Sequence, residues 1–110
     1  MTRRGDILTV AASGDCGKPR PAVVIQGDAL NQAEPRSTIV ALMTSALQDA
    51  PLLRLTVEST SHNGLRVTSQ VQVNRIVTLP VTKVSSPIGR LTDQQLVELN
   101  RLLAVVIGLA

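Results

Sequence analysis

The chain reads as a mainly β fold: a small, strongly bent antiparallel sheet followed by one C-terminal α-helix. Three observations lead there. Apolar runs of strand length, punctuated by Gly, Pro and Asn turn signals, fill the first four-fifths of the sequence. After Thr92 the apolar spacing changes from a strand period to a helical one. The length of 110 residues, without a single Phe, Tyr or Trp, allows one domain, 1–110, with one modest aliphatic core.

The elements follow in order. "DILTVAA" gives a first strand from Ile7 to about Ala11, and the loop "SGDCGKPR" follows it. "PAVVIQ" is continuously apolar, as a central strand must be, with Pro21 at its first position where the missing N–H does least harm. "GDALNQAEPRS" is a turn-rich connection with room for one helical turn, and "TIVALMTS" is the next strand, ending in Thr44 and Ser45. Leu53, Leu55 and Val57 alternate with polar residues, and Asn63-Gly64 signals a hairpin turn after which Leu65 and Val67 resume. Val71, Val73 and Val77 continue the alternation up to Pro80, and "VTKVSSPIGR" is a connector.

The terminal helix has its own start and stop signals. Thr92 with Gln95 three residues on forms a capping box, and Asp93 suits the positive end of the helix. Leu96, Leu99, Leu103 and Val106 share one face, Leu102, Val105 and Ile107 widen it, and Gly108 supplies the C-terminal stop. So wide an apolar arc predicts packing on the sheet plus a subunit contact.

Composition removes several kinds of chemistry. Without aromatic residues there is no stacking shelf for single-stranded bases. The single Cys16 permits no internal disulfide, and one Cys with one His offers no zinc site of ordinary spacing. His62 sits in the polar turn "TSHNG" and reads as an exposed turn residue. Cys16 has no partner base and is an unpersuasive nucleophile. Neither a nucleophile elbow, a phosphate-binding P-loop nor a dinucleotide fingerprint occurs. "RGD" at Arg4 to Asp6 is better explained by a strand start than by cell adhesion. No apolar run reaches the length of a signal peptide or a membrane span, so the expected compartment is the cytoplasm.

What remains is chemistry that needs no metal, cofactor or side-chain nucleophile. The net charge is +3, and nine of the eleven cations are Arg, whose planar fork suits phosphate. Cleavage of RNA fits, because the substrate brings its own nucleophile, the 2′-hydroxyl. The protein must then orient the backbone, stabilise the charge of a phosphorane and manage two proton transfers. Arg20, braced between Pro19 and Pro21, suits the charge, and Thr44 at the end of a buried strand suits the orientation. A solvated cation before a strand and a turn-forming Thr remain the alternative readings of the same two residues.

In its motifs the sequence resembles the MazF/PemK-type toxin endoribonucleases of bacterial toxin–antitoxin modules. The resemblance rests on "RGDILTV", "GKPRPAVVIQGDAL", "VALMTS", "SQVQVNRIVTLP" and "IGRLTDQQLVELNRLLAVVIGL", five segments in register over nearly the whole chain. It implies an SH3-like antiparallel barrel with a C-terminal helix, a homodimer, and metal-independent cutting of single-stranded RNA at short sequences. It further implies growth inhibition relieved by a co-encoded antitoxin. Arg20 and Thr44 would be the catalytic pair. Lys18 and Arg75 would hold flanking phosphates or bases, and Asp15, Ser45 and Asn74 would contact base edges. Some relatives use an Arg/Asp pair in the late strand, where this chain has Val77-Thr78-Leu79-Pro80, and many carry Gln where Arg75 stands. The rival class is a binding module: CcdB-type toxins use the same barrel to poison DNA gyrase, with the important residues on the terminal helix, and a toxin that only binds its antitoxin is a third possibility.

Overall fold

In a computed structural model of the chain, which describes residues 2–11, 18–34 and 36–110, the apolar runs pair into one six-stranded sheet. The strands are β1 (Asp6–Val10), β2 (Arg20–Val24), β3 (Ser37–Thr44), β4 (Arg54–Val57), β5 (Ser69–Pro80) and β6 (Gly89–Arg90). Among the described residues two α-helices accompany them, α1 (Asp28–Ala33) and α2 (Asp93–Val106), with a short 3₁₀ turn at Val81–Lys83. The sheet order is β4-β5-β3-β2-β1-β6 and every pairing is antiparallel. The apolar β2 is therefore central, and its ladder with β3 begins at Ala22, after Pro21 has been passed.

Both faces of the sheet are buried, which is why so much of it reads as apolar. One cluster holds Ile7, Val23, Ala41, Met43, Val57, Val71 and Val73, and α2 covers it through Leu96, Leu99, Leu102, Leu103 and Val106. The other holds Leu8, Val10, Ala22, Val24, Val40 and Leu42, with Val77, Leu79 and Val84 packed against it. The single alternation read through Val71, Val73 and Val77 is corrected by an irregularity in the β3–β5 ladder. Ala41 pairs with Ile76 but Met43 with Val71, so Leu42 alone faces residues 72–75. The surplus of three residues is odd, and an odd slip exchanges faces. Val71 and Val73 consequently pack in one cluster and Val77 in the other.

The hairpin after β4 is also corrected. β4 pairs with β5, Val57 opposite Ser69, and Leu65 to Val67 form no strand. Residues 58–68 instead fold around the buried Asn63, whose side-chain oxygen accepts from the N–H groups of Thr60 and Leu65 and whose amide donates to Glu58 O at 2.7 Å. This loop docks on β6: Gly64 adopts φ +71°, a Cβ there would lie 2.2 Å from Ile88 O, and Arg90 N–H donates to His62 O. The open side of the curled sheet, between β4 and β6, is thus bridged by a loop rather than a ladder. His62 is exposed, as its turn position implied.

Helix α2 starts and stops as its sequence dictates. Thr92 Oγ1 accepts from Gln95 N while Gln95 Oε1 accepts from Thr92 N, completing the capping box. At the other end Gly108 takes φ +80°, its N–H meets Val105 O, and Leu109 N–H meets Ala104 O at 2.7 Å, a Schellman closure. Val97, Val105 and Ile107 stay exposed in the single chain. At the amino end, Asp28 accepts from Arg4 N–H and from the Asn31 amide, and these bonds hold its carboxyl below the usual carboxylate range. Among the described residues no helix is long and apolar enough to cross a membrane.

Candidate active site

Arg20 is the first residue of β2 and Thr44 the last of β3. Ala22 pairs with Leu42, so the same register carried two residues further sets Arg20 beside Thr44, both on the face that holds Leu42. Thr44 pairs with Gln70 on β5, and Gln70 with Thr56 on β4. A polar row thus crosses four strands where the apolar cluster on this face ends.

Each member of the row is held. Arg20 donates to Met43 O from Nε at 3.0 Å and from Nη2 at 2.7 Å, and Nη2 also donates to Gln72 Oε1 at 2.7 Å. Thr44 Oγ1 accepts from Ala46 N at 3.1 Å, the geometry of a Ser/Thr turn, which makes the turn-former reading of this residue correct as far as it goes. An acceptor role for the oxygen leaves the hydroxyl hydrogen to donate elsewhere. The loop that follows is pinned by Gln70, whose Oε1 accepts from Gln48 N and Arg54 Nη1 and whose Nε2 donates to Gln48 O and Thr56 Oγ1.

In front of the pair lies an open cleft of about 810 Å³ whose walls include Lys18, Arg20, Thr44, Ser45, Arg66 and Ser69. Arg20 and Thr44 are half-buried there, whereas Lys18, Ser45 and Arg66 are exposed. Neither Asp nor Glu lines the cleft among the described residues. Lys18, Arg20 and Arg66 therefore converge on one concave surface, which suits an anionic ligand.

Of the residues singled out from sequence, Arg20, Thr44, Lys18 and Ser45 come together on this cleft. Asn74 and Arg75 do not line it; they are exposed in the β5 irregularity opposite Leu42. Asp15 and Cys16 lie outside the described residues. Gln70, Gln72 and Arg66 escaped the sequence reading. The two glutamines alternate with core valines, a pattern that fits a solvated strand face equally well, and Arg66 sat in a stretch read as strand. Among the described residues no group of three or more His, Cys, Asp or Glu is placed to hold a metal ion.

The curled antiparallel sheet with its C-terminal helix is the fold of PemK-like, MazF-like proteins. Residues 3–107 match the family of PemK-like, MazF-like toxins of type II toxin–antitoxin systems, and the chain belongs to that family. It is 40% identical over 109 residues to a probable MazF endoribonuclease of Mycolicibacterium smegmatis, covering 98% of each chain. It is 28% identical over 118 residues to the endoribonuclease MazF9 of Mycobacterium tuberculosis, covering 99% of this chain and 98% of that one. Its fold is similar to that of a mycobacterial endoribonuclease solved in complex with its cognate antitoxin, with a TM-score of 0.81 at 20% identity over 100% of this chain and 98% of that one.

Proposed function

We propose that this chain is the endoribonuclease toxin of a type II toxin–antitoxin pair, cutting single-stranded RNA at specific short sequences. The observation that carries the reading is the Arg20 guanidinium tethered to Met43 O, one peptide before Thr44, in a cationic cleft. Relatives along the full length are endoribonucleases by name, which supports the same substrate class.

In this mechanism the ribose 2′-oxygen forms a bond to the adjacent phosphorus and loses its proton. The phosphorus–O5′ bond then breaks, and a proton reaches O5′. The products are a 2′,3′-cyclic phosphate and a 5′-hydroxyl, with no metal or cofactor taking part. Arg20 stabilises the extra charge of the phosphorane, and the Thr44 hydroxyl donates to a non-bridging oxygen and orients the phosphate. Lys18 holds a flanking phosphate or base, Asp15 and Ser45 contact base edges, and Asn74 and Arg75, which do not line the cleft, contact nucleotides further along the strand. The functional unit is a homodimer, in which the exposed apolar flank of α2 meets a partner subunit. The cognate antitoxin lays an acidic or amphipathic tail over the cleft and competes with RNA by charge complementarity.

The test is incubation of the purified protein with a long transcript in EDTA, with cut ends mapped and their termini identified. Cutting by the wild type and its near abolition by Arg20→Ala, a loss of about 10²–10³ in rate, are the expected results. Equal cutting by a folded Arg20→Ala protein removes the assignment. Inhibition of gyrase supercoiling with no RNA cut would put the chain in the gyrase-poisoning class instead.

A further inference from the structure

We propose that Gln72 is the positioning residue of this site: it does not touch RNA, and it sets the orientation of Arg20 from behind. The inference rests on the functional reading above for its kinetic consequences, but not for its structural claim. Gln72 is buried and absent from the cleft walls, yet its Oε1 lies 2.7 Å from Arg20 Nη2. Arg has only donors, so the amide oxygen, not its nitrogen, must face the guanidinium.

The fold explains how a β5 side chain reaches a β2 cation across β3. Gln72 is the first of the four residues that face Leu42 alone, the point at which the β3–β5 ladder breaks. On its other side Gln72 still pairs with Arg54 of β4, so its backbone is anchored there. Two residues on from Gln70, the partner of Thr44, it shares by strand alternation the face of Arg20 and Thr44. Met43 O holds one edge of the guanidinium, accepting from Nε and Nη2. Gln72 Oε1, fifty-two residues away in sequence, accepts from Nη2 as well and so resists rotation about Nε–Cζ. A buried uncharged amide suits the task, because a carboxylate at the same place would cancel part of the charge that Arg20 presents to a phosphate.

The experiment uses Gln72→Asn, which keeps the amide but falls one methylene short, and Gln72→Met, which keeps the volume and loses the acceptor. NMR of the Arg20 guanidinium, assigned by the loss of its signal in Arg20→Lys, reports rotation about Nε–Cζ without reference to any activity. Single-turnover cleavage of RNA reports the consequence. Both variants are expected to speed guanidinium rotation and to lower the cleavage rate roughly 10- to 100-fold, as loss of a hydrogen bond to a charged group does, with substrate affinity nearly unchanged. Unaltered rotation in a folded variant overturns the proposal, and Gln72→Asn serves where Gln72→Met fails to fold. Faster rotation in a protein whose wild type cuts no RNA would leave the positioning role standing and remove the ribonuclease reading. Faster rotation with undiminished cleavage would show that Gln72 holds Arg20 without serving catalysis, and the proposal would fall.

Discussion

The carbonyl of Met43 accepts two hydrogen bonds from Arg20, at 3.0 Å from Nε and 2.7 Å from Nη2, so the cation is tied to the β3 backbone one peptide before Thr44. Its position therefore follows the sheet rather than a side-chain rotamer. Only a planar fork can place two donors on one oxygen and still reach Gln72. Lysine keeps the charge and loses that geometry. Arg20→Lys is accordingly expected to lose about 10²-fold or more in single-turnover cleavage, close to Arg20→Ala, with thermal stability little changed. Activity near that of the wild type would mean that charge alone suffices.

Thr44 separates two jobs that one hydroxyl performs. Its oxygen caps Ala46 N–H at 3.1 Å, and its hydrogen is the group proposed to meet the phosphate. Thr44→Ser keeps both and is expected to retain cleavage within about tenfold. Thr44→Val, of nearly the same shape, removes both and is expected to lower the rate by about 10²-fold while costing about 1 kcal/mol for the lost cap. Rate measurements beside denaturant melts of the two variants separate the jobs.

Local signals made much of this arrangement readable in advance. The capping box at Thr92, the stop at Gly108 and the apolar run of β2 depend on neighbours within a few residues, and they appear where the sequence put them. Proline bracing singled out Arg20 and a strand end singled out Thr44, while their adjacency comes from the β2–β3 register. What escaped was non-local. No local pattern announces that one residue of β3 faces four of β5, so the change of face between Val73 and Val77 and the reach of Gln72 were invisible. Asn63-Gly64 looked like a two-residue hairpin turn because the partner that shapes it, Ile88-Gly89, lies far along the chain.

That contact supplies a stability prediction. A Cβ on Gly64 would lie 2.2 Å from Ile88 O, and one on Gly89 would lie 2.3 Å from the Asn63 carbonyl carbon, backbone atoms that no rotamer change can move. Gly64 also holds φ +71°. Gly64→Ala and Gly89→Ala are each expected to cost about 2–4 kcal/mol in denaturant unfolding, the range of steric and backbone strain. Gly27→Ala is the control, since a Cβ there meets nothing within 4 Å. Its expected cost is about 0.5–1 kcal/mol, since Gly27 caps α1 and alanine is the poorer N-cap. Equal stability of all three would show that loop 58–68 does not dock on β6.

Acid should loosen the amino-terminal segment through Asp28. Its carboxyl is held low, first by the Arg4 N–H at 2.7 Å and then by the Asn31 amide at 3.1 Å. A carboxylate with a lowered folded value stabilises the fold above its ordinary value, and that contribution is lost as pH falls through the lower one. The stability gap between wild type and Asp28→Asn should thus be constant from neutral pH down to about 4 and close below the ordinary value of 3.8. Because the group is exposed, the gap should be small and should shrink with salt. Denaturant titrations at several pH values check this, and a gap that widens towards low pH would reverse the assignment.

Salt dependence gives a direct test of the proposal that RNA lies in this cleft. Lys18, Arg20 and Arg66 line it, and neither Asp nor Glu is among its described lining residues. Each phosphate neutralised on a single strand contributes about −0.7 to the slope of log affinity against log salt, so three contacts imply a slope near −2. Arg66 stands on the loop that Gly64 and Asn63 hold against β6, and it lines the cleft. Gln in its place should weaken binding of a short, uncleavable RNA and make the slope shallower by about 0.7, whatever the RNA sequence. The same change at Arg36, exposed and paired with Glu34 outside the cleft, should leave the slope where it was. Fluorescence anisotropy over a range of salt concentrations reads both slopes. Matching shifts from the two substitutions would show that RNA responds to overall charge and does not lie in this cleft.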